Sequence, residues 1–491
     1  MTSLLFDKIE AEGHAPVVSD GSRTLDYGEL YRHSLTLAEQ LKAMEARTVA
    51  STLDNGILWL VVDLACQLAD LPLLPVPGFF SPDQQQHVLA QAGVDTLIYQ
   101  PGDRQLPAQW RHLASPFGVA IARNHSSTTA LLPADTGKIT YTSGSTGTPK
   151  GVCLSNVQLI RQAESLANAI GIPQLGGRLR HLSLLPLGVL LENVGGAYTT
   201  LISGGTLLVP ALAEIGLKGS SSLHTPTLLG AISRFRPHTL ILMPQMLAAL
   251  VAAGEAGWEA PDSLFFVAVG GSKVAPSLLA KARDQGLPVY EGYGLSECAS
   301  VVSLNTPTAS LMGSAGRPLP HLKVEIRDAE VHVSGNPFLG YVDDPDSWNP
   351  GAIATGDLGS VDKSGFLHLY GRRKNLLITS YGRNISPEWI ETELTDNGLI
   401  REAIVFGDAR PFPVVLLHTD SMTSNEAISH AIEQCNQRLP DYARIRHWLR
   451  LPQPLADYPG LITSTGKPRR EAIAQHFSAQ LDTLYHSPLE A

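Results

Sequence analysis

The stretch KITYTSGSTGTPKGV, residues 138–152, sets the problem. Lys138 to Thr142 alternate polar and apolar side chains, the two-residue period of a strand. Hydroxyl and glycine residues then follow one another through Thr142, Ser143, Gly144, Ser145, Thr146 and Gly147, and Lys150 comes soon after. Glycines let backbone amides turn inward and hydroxyls add donors, so such a loop can form a nest for an anion. Lys150 adds a positive charge. A flexible linker has the same composition, and the loop alone does not separate the two readings. Its spacing is not that of a P-loop, because GxxxxGK[ST] fits neither here nor around Lys467. Nor is it a nucleophile elbow, which needs a glycine where Ser143 stands.

Working outward, SNVQLIRQAESLANAIG (155–171) reads as a helix capped by Ser155 and stopped by Gly171. Val157, Ile160, Leu166, Ala167 and Ile170 are expected on its buried face. TLILMP (239–244) precedes a helical MLAALVAAG. LFFVAV (264–269) precedes Gly270, Gly271 and Ser272, then a helix through PSLLAKARDQ, then LPVYEGYG. Strand, loop and helix in repetition predict βαβ units, mainly parallel sheets and an α/β fold. Ligands of such sheets sit in loops beyond the carboxyl ends of the strands. The 143–149 loop, GGS and GYG all fall there. Past residue 352 the chain turns rich in glycine and charge. Short strands at AIVF (403–406) and VVLLH (414–418) then flank a helix near 424–438. The expected domains are 1–373 and a small α+β domain at 374–491.

Bulk properties exclude several classes. A net charge of −10 leaves no basic excess for binding nucleic acid by counterion release. Cys66, Cys153, Cys298 and Cys435 are widely spaced, without a CxxC or Cys/His cluster. Neither a disulfide framework nor a zinc site is indicated, and a reducing, cytoplasmic setting fits. MTSLLFDKIEAEGHA carries acids early and lacks the form of a signal peptide. The uncharged run between Glu192 and Glu214 is broken by glycines and hydroxyl residues. It is expected as a buried turn-and-strand segment and not as a membrane span.

Further blocks appear in order: GGS at 270–272, EGYGLSE at 291–297, GSAGRPLP at 313–320, TGD at 355–357, GRRKNLLITSYGRNISPEWIE at 371–391 and TSTGKPRR at 463–470. TLDYGELYRHS (24–34) lies ahead of them. With the opening loop, they resemble the motifs of the adenylate-forming (AMP-binding) superfamily of acyl-CoA synthetases, nonribosomal adenylation domains and luciferases. The resemblance implies a large N-terminal domain of stacked α/β subdomains with a small β-barrel part. It also implies a mobile C-terminal domain carrying a catalytic lysine. The implied partners are ATP, Mg²⁺, a small carboxylic acid and a thiol, either CoA or the phosphopantetheine of a carrier protein.

Roles carry over by the same resemblance. Thr142, Ser143, Gly144, Ser145, Thr146, Gly147 and Lys150 would hold the phosphates. Gly271, Ser272, Glu291, Gly292, Tyr293 and Gly294 would border adenine and ribose. Asp357 would accept from the ribose hydroxyls and Arg372 would donate to the same sugar. Glu297 would hold Mg²⁺, a hard cation that prefers oxygen ligands, with Ser296 beside it in the usual threonine's place. Lys467 would swing in to bridge the carboxylate and the ribose or α-phosphate oxygens. Lys374 matches the hinge, and Gly382 the loop lining a tunnel for the pantetheine arm. Without the resemblance, Tyr293 reads as core packing, Asp357 and Arg372 as a surface ion pair, and Lys467 as a solvated lysine.

LLPLGVLLENVGG (184–196) resembles the LPLxHxxER segment of long-chain acyl-CoA synthetases, with Glu192 on its glutamate. Val189 replaces its histidine and Asn193 its arginine. FGDARPFPVVLL (406–417) resembles the same branch. Amino-acid-activating members usually place an aspartate against the substrate ammonium, and matching Gly204 and Gly205 leaves Leu191 there. An unpaired ammonium in an apolar pocket is costly. The implied substrate is a hydrophobic acid, fatty or aryl. Val189, Leu190, Glu192, Ile241, Met243 and Gly270 are the candidates for its pocket. Cys298 reads as a core cysteine and not a nucleophile. A carrier protein or an amine stays open as acceptor. So do a nucleotide-binding regulatory protein and a phosphotransferase or ATPase releasing ADP. The joint presence of Glu297, Asp357, Arg372 and Lys467 favours catalysis.

Overall fold

The structure is a computed structural model that describes residues 3–102, 110–113, 118–142, 150–172, 178–219, 222–272, 274–380, 384–396, 398–463 and 466–486. The Lys138–Thr142 strand is present, and it pairs antiparallel with Lys150–Leu154, Thr142 opposite Lys150. The sequence reading passed straight from the loop to a helix and missed this second strand. From Gly151 to Leu154 it is buried on both faces, so it carries no alternation to detect. The hydroxyl-rich loop thus joins the two strands of a hairpin. Residues 143–149 themselves lie outside the described residues.

The hairpin belongs to an eight-stranded sheet whose Val49–Ser51, Leu73–Pro75 and Thr96–Tyr99 strands run parallel. Leu73 pairs in parallel with Lys138. A second sheet has nine strands. Six of them, Pro16–Ser19, Thr206–Leu208, Arg180–Leu182, Thr239–Leu242, Phe266–Val269 and Val289–Tyr293, run parallel side by side. Short antiparallel strands finish both edges. One core joins the two sheets through the helices Ile57–Ala69 and Asn156–Ile170. The first of these is buried around its whole circumference, as a helix between two sheets is, with 11 of its 13 residues buried, Asp63 and Gln67 among them.

The Asn156–Ile170 helix opens with a capping box, Ser155 accepting from the Gln158 backbone and Gln158 returning the bond. It ends at Gly171 with φ 81°. Its buried face runs through Leu159, Ile160, Ala163, Leu166 and Ala167, while Val157 is exposed. Nine positions at roughly 100° each put Val157 half a turn from Leu166, so the expected face was drawn one residue wide of the mark. The 193–213 run also differs from expectation. Leu191–Tyr198 forms a π-helix that continues as the helix Thr199–Ile202, and only then comes the Thr206–Leu208 strand. A helix buried all round has no polar face, so its period is hidden. Among the described residues no helix is long and apolar enough to cross a membrane.

Where a small barrel was expected, Lys323–Arg327, Glu330–Ser334, Ile353–Val361 and Leu367–Arg372 form a four-stranded antiparallel sheet. After residue 374 a three-stranded sheet, Ile400–Phe406, Val414–Thr419 and His447–Arg450, packs with the helices Pro387–Thr395 and Asn425–Arg438. This region has cores of its own.

At the centre of the large core lies a buried charge. Lys138 is 2% exposed and its ammonium donates to Asp63 Oδ1 at 2.7 Å and to Tyr198 Oη at 2.8 Å. It also donates to Asn193 Oδ1. Tyr198 donates to Asp63 Oδ2 at 2.6 Å, and Gln67 donates to Tyr198 at 2.7 Å. Asn193 stands where the resembled branch has an arginine. Here the cation comes instead from the Lys138–Thr142 strand, beside the π-helix that carries Asn193. Removing one partner of such a pair leaves an uncompensated buried charge. Lys138→Met should therefore cost about 3–5 kcal/mol in urea unfolding. Adding Asp63→Leu should recover most of that loss.

Candidate active site

The carboxyl ends of the parallel strands carry the expected motifs, and one carboxylate organises them. Asp357 and Arg372 face each other across two antiparallel strands, and Arg372 Nε lies 2.8 Å from Asp357 Oδ1. Tyr293, at the end of Val289–Tyr293, donates its hydroxyl to Asp357 Oδ2 at 2.6 Å. Burial, with the Asp357 charge beside it, pushes the Tyr293 phenol well up, so it stays a donor. The Asp357 amide donates to Thr355 Oγ1 at 3.0 Å. Each carboxylate oxygen thus has one partner and keeps capacity for another. The Tyr293 face expected against adenine therefore comes with a hydroxyl that fixes the carboxylate below it.

Lys467, from the C-terminal region, lies near enough for its charge to feel Asp357 and Arg372. Thr463 and Lys467 hold its turn together, with Thr463 N donating to Lys467 O at 2.7 Å and Lys467 N donating to Thr463 Oγ1 at 3.0 Å. The residue is exposed to solvent, and the protein around its ammonium removes part of its hydration. That desolvation lowers its pKa, the neighbouring Arg372 lowers it further, and Asp357 opposes both. Lys374 lies in the single turn Arg373–Asn375, where the four-stranded sheet ends. Gly382 lies outside the described residues, as do Ser143 to Gly147.

A second cluster forms on the phosphate side. Tyr341 donates to Glu297 Oε1 at 2.9 Å, and Lys150 Nζ sits 4.9 Å from the Tyr341 ring centroid. Burial and the Glu297 charge push the Tyr341 phenol up, so it remains protonated. Gly340–Tyr341 pairs with the Lys150–Leu154 strand, which brings the three residues together. The sequence reading missed Tyr341. A two-residue strand leaves no period, and its only signal is an aromatic just before the DDP turn. Glu297 keeps one carboxylate oxygen for a hard cation, which fits Mg²⁺. Among the described residues no group of three or more His, Cys, Asp or Glu forms a metal cage. A cation held by one carboxylate and by substrate phosphates needs none. Ser296 and Glu297 open a short turn on which Cys298 is fully buried, its thiol pushed well up by desolvation.

Two glycines are demanded by packing. A Cβ on Gly294 would lie 1.6 Å from the Ser300 carbonyl oxygen. At Gly271, φ is +83° and a Cβ would meet Met243 at 3.0 Å. Gly270 and Gly292 also lie close, with only 3.1 Å between a Cβ on the first and the carbonyl oxygen of the second. Glu291 sits in the same strand, its carbonyl accepting from Asn305 N at 2.9 Å. Ser272 is exposed at the rim.

On the acyl side the candidates divide. Ile241 lines a cavity of about 40 Å³ with Leu191 and Gly195, whereas Val189, Leu190, Met243 and Gly270 are not on its wall. Leu190 is part of the large core. Glu192 is fully buried and accepts from or donates to His181 Nε2 at 2.7 Å through Oε1. His181 escaped the sequence reading, since a lone histidine ahead of an apolar run carries no pattern.

Comparison with known proteins gives the family and the fold. A family model described as AMP-binding enzyme matches residues 5–337, and one described as AMP-binding enzyme C-terminal domain matches 374–488. The chain belongs to the AMP-binding enzyme family. It is 28% identical over 452 residues to the 2-succinylbenzoate–CoA ligase of Bacillus subtilis (strain 168), covering 86% of this chain and 88% of that one. It is 27% identical over 432 residues to the long-chain-fatty-acid–CoA ligase FadD15 of Mycobacterium bovis, covering 73% and 70%. The fold matches that of the o-succinylbenzoate CoA synthetase of Bacillus subtilis in complex with its acyl-adenylate intermediate. The TM-score is 0.78 at 24% identity, over 96% of this chain and 97% of that one. It also matches the anthranilate CoA ligase AuaEII, with a TM-score of 0.80 at 18% identity over 98% of each chain. For this AMP-binding enzyme the Tyr293–Asp357 bond should matter to nucleotide affinity. A hydrogen bond to a charged group contributes about 1.5–3 kcal/mol. Tyr293→Phe should therefore raise the Kd for AMP by about tenfold or more, as read by titration calorimetry.

Proposed function

We propose that this enzyme joins a hydrophobic carboxylic acid to ATP with release of pyrophosphate, and then passes the acyl group from the adenylate to the thiol of CoA, leaving AMP. The support for the reading is the Asp357–Arg372 pair with the Tyr293 hydroxyl on it, and Lys467 near enough for its charge to feel both members of the pair. Two anions must approach each other when a carboxylate oxygen attacks the α-phosphorus. Catalysis of that step is positioning plus electrostatic stabilisation. Asp357 orients the ribose by accepting from its hydroxyls, and Tyr293 and Arg372 hold Asp357 still. Lys467, brought in beside them, lies where it can bridge the acid and the nucleotide. Lys150 and the 143–149 loop supply positive charge and donors for the phosphates. Bound at Glu297, Mg²⁺ supplies further charge neutralisation.

Residues 374–491 act as the moving part, turning about Lys374 so that Gly382 takes its place by the thiol tunnel. The relatives whose printed names are CoA ligases support CoA over a carrier protein as acceptor. Buried, free Cys66, Cys153, Cys298 and Cys435 support a cytoplasmic setting.

The test is acid-dependent exchange of labelled pyrophosphate into ATP, with products identified by mass with and without CoA. Lys467→Ala should lower exchange by about 10²–10³, the size seen when one donor to a developing oxyanion is lost. AMP and an acyl thioester are expected. ADP would instead mark a phosphotransferase, and adenylate without thioester would mark another acceptor. The pH profile gives a second check. The lysine must be protonated to act and its pKa is depressed, so activity should fall on the alkaline side below the ordinary lysine range. Replacing Arg372 by Met removes a cation that lowers this pKa, so the alkaline limb should move to higher pH.

A further inference from the structure

Where the large region meets the C-terminal one, the start of the helix Pro276–Asp284 touches the end of the helix Pro387–Thr395. The first amides of a helix have no partner inside it, and a side chain at the cap position commonly supplies one. Here that position holds Ala275, whose side chain has no acceptor, and Pro276 follows it. The acceptor comes from the other region instead. Ser277 N donates to Asp396 Oδ1 at 3.3 Å, and the Ser277 hydroxyl donates to the same oxygen. That hydroxyl also lies 3.1 Å from the Asp396 carbonyl oxygen.

Asp396 is misplaced by the rules of its own helix. It is the C-cap residue of Pro387–Thr395, with φ −61° and ψ −32°. An acidic side chain is unfavourable at the negative, C-terminal end of a helix and favourable at the positive, N-terminal end of another. Asp396 therefore ends one helix badly and completes the other well. A local rule broken in this way is expected where a wider contact offsets it.

The helix that ends at Asp396 is also tied to the lysine turn. Arg470 lies three residues after Lys467, and its Nη2 donates to Glu391 Oε1 at 2.6 Å and to Oε2 at 2.5 Å. Arg470 Nη1 donates to the Val405 carbonyl at 3.0 Å, and Val405 N donates to Glu391 Oε1 at 2.7 Å. Nearer the start of the helix, Glu388 accepts from Asn375 in the Arg373–Asn375 turn. One helix thus joins the turn beside Lys374, the segment that carries Lys467 and a contact on the large region.

We propose that Asp396 is a clasp: by capping Pro276–Asp284 it holds the C-terminal region in the arrangement that sets Lys467 near Asp357 and Arg372, and it lets go when that region turns for thioester formation. The proposal rests on the two-step reading above. Asp396 and Ser277 are positioning residues, acting on Lys467 through Glu391 and Arg470. Both are half-buried. A side-chain cap shifts an equilibrium by only about fivefold, which suits a contact that has to break in each turnover.

The test times the two half-reactions separately, with an acid that supports pyrophosphate exchange. One is the exchange itself, and the other is thioester formation from the preformed acyl-adenylate and CoA. Asp396→Ala should lower kcat for exchange about fivefold and leave thioester formation at the wild-type rate or faster. Asp396→Asn keeps an acceptor oxygen and should restore most of the exchange. Ser277→Ala loses the hydroxyl but keeps the amide, so it should move the ratio of the two rates in the same direction by less. Should Asp396→Ala fail to fold, Ser277→Ala supplies the reading. Equal loss in both half-reactions, or no change in either, would overturn the clasp alone. A wild type without acid-dependent exchange, or one that forms adenylate but no thioester, would overturn the two-step reading and this proposal with it.

Discussion

The Lys138 side chain is only 2% exposed, and its ammonium draws partners from distant parts of the large domain. A buried cation is tolerated only when it is paired and hydrogen-bonded. Its partners come from two places, Asp63 on the helix between the sheets and Asn193 and Tyr198 on the π-helix, while its own strand leads to the hydroxyl-rich loop. The network therefore ties the Lys138–Thr142 strand to the Ile57–Ala69 helix and the π-helix. It also accounts for Asn193, because the positive charge arrives from Lys138 and an arginine at that position would compete with it.

A second constraint operates at the surface of the cleft. Asp357, Arg372 and Tyr293 are set by strand register, so their geometry is rigid. Lys467 is not, because it comes from a turn nearly a hundred residues further along the chain. The difference suits the chemistry. The groups proposed to recognise the nucleotide are fixed, and the lysine proposed to complete the cleft belongs to a region with cores of its own. A contact between the two regions, Ser277 donating to the Asp396 carbonyl at 3.1 Å, is polar and small.

Much of the site was legible in order of sequence. EGYGLSE, TGD and GRRKN have residue types whose chemistry is specific, and the structure brings Tyr293, Asp357 and Arg372 into direct contact. Glu297 and Lys150 could be named in the same way, but the phenol that joins them could not. Tyr341 sits on a two-residue strand, below the length at which a period can be recognised. The 193–213 run misled for a related reason. Its glycines and threonines look like punctuation, yet Gly195 and Gly196 are small because Ile241 and the His181–Glu192 pair crowd against them.

The sequence by itself determined the α/β alternation, the capped helix at 155–171, the change of texture past residue 352 and the short motifs whose chemical types suit a nucleotide. These are local properties, carried by period, capping residues and short motifs. Only the tertiary structure decided that the loop joins a hairpin, that Lys138 and not residue 193 supplies the buried cation, and that Glu192 turns to His181. Each of those depends on which distant strand lies alongside, and burial removes the alternation by which a sequence would announce it.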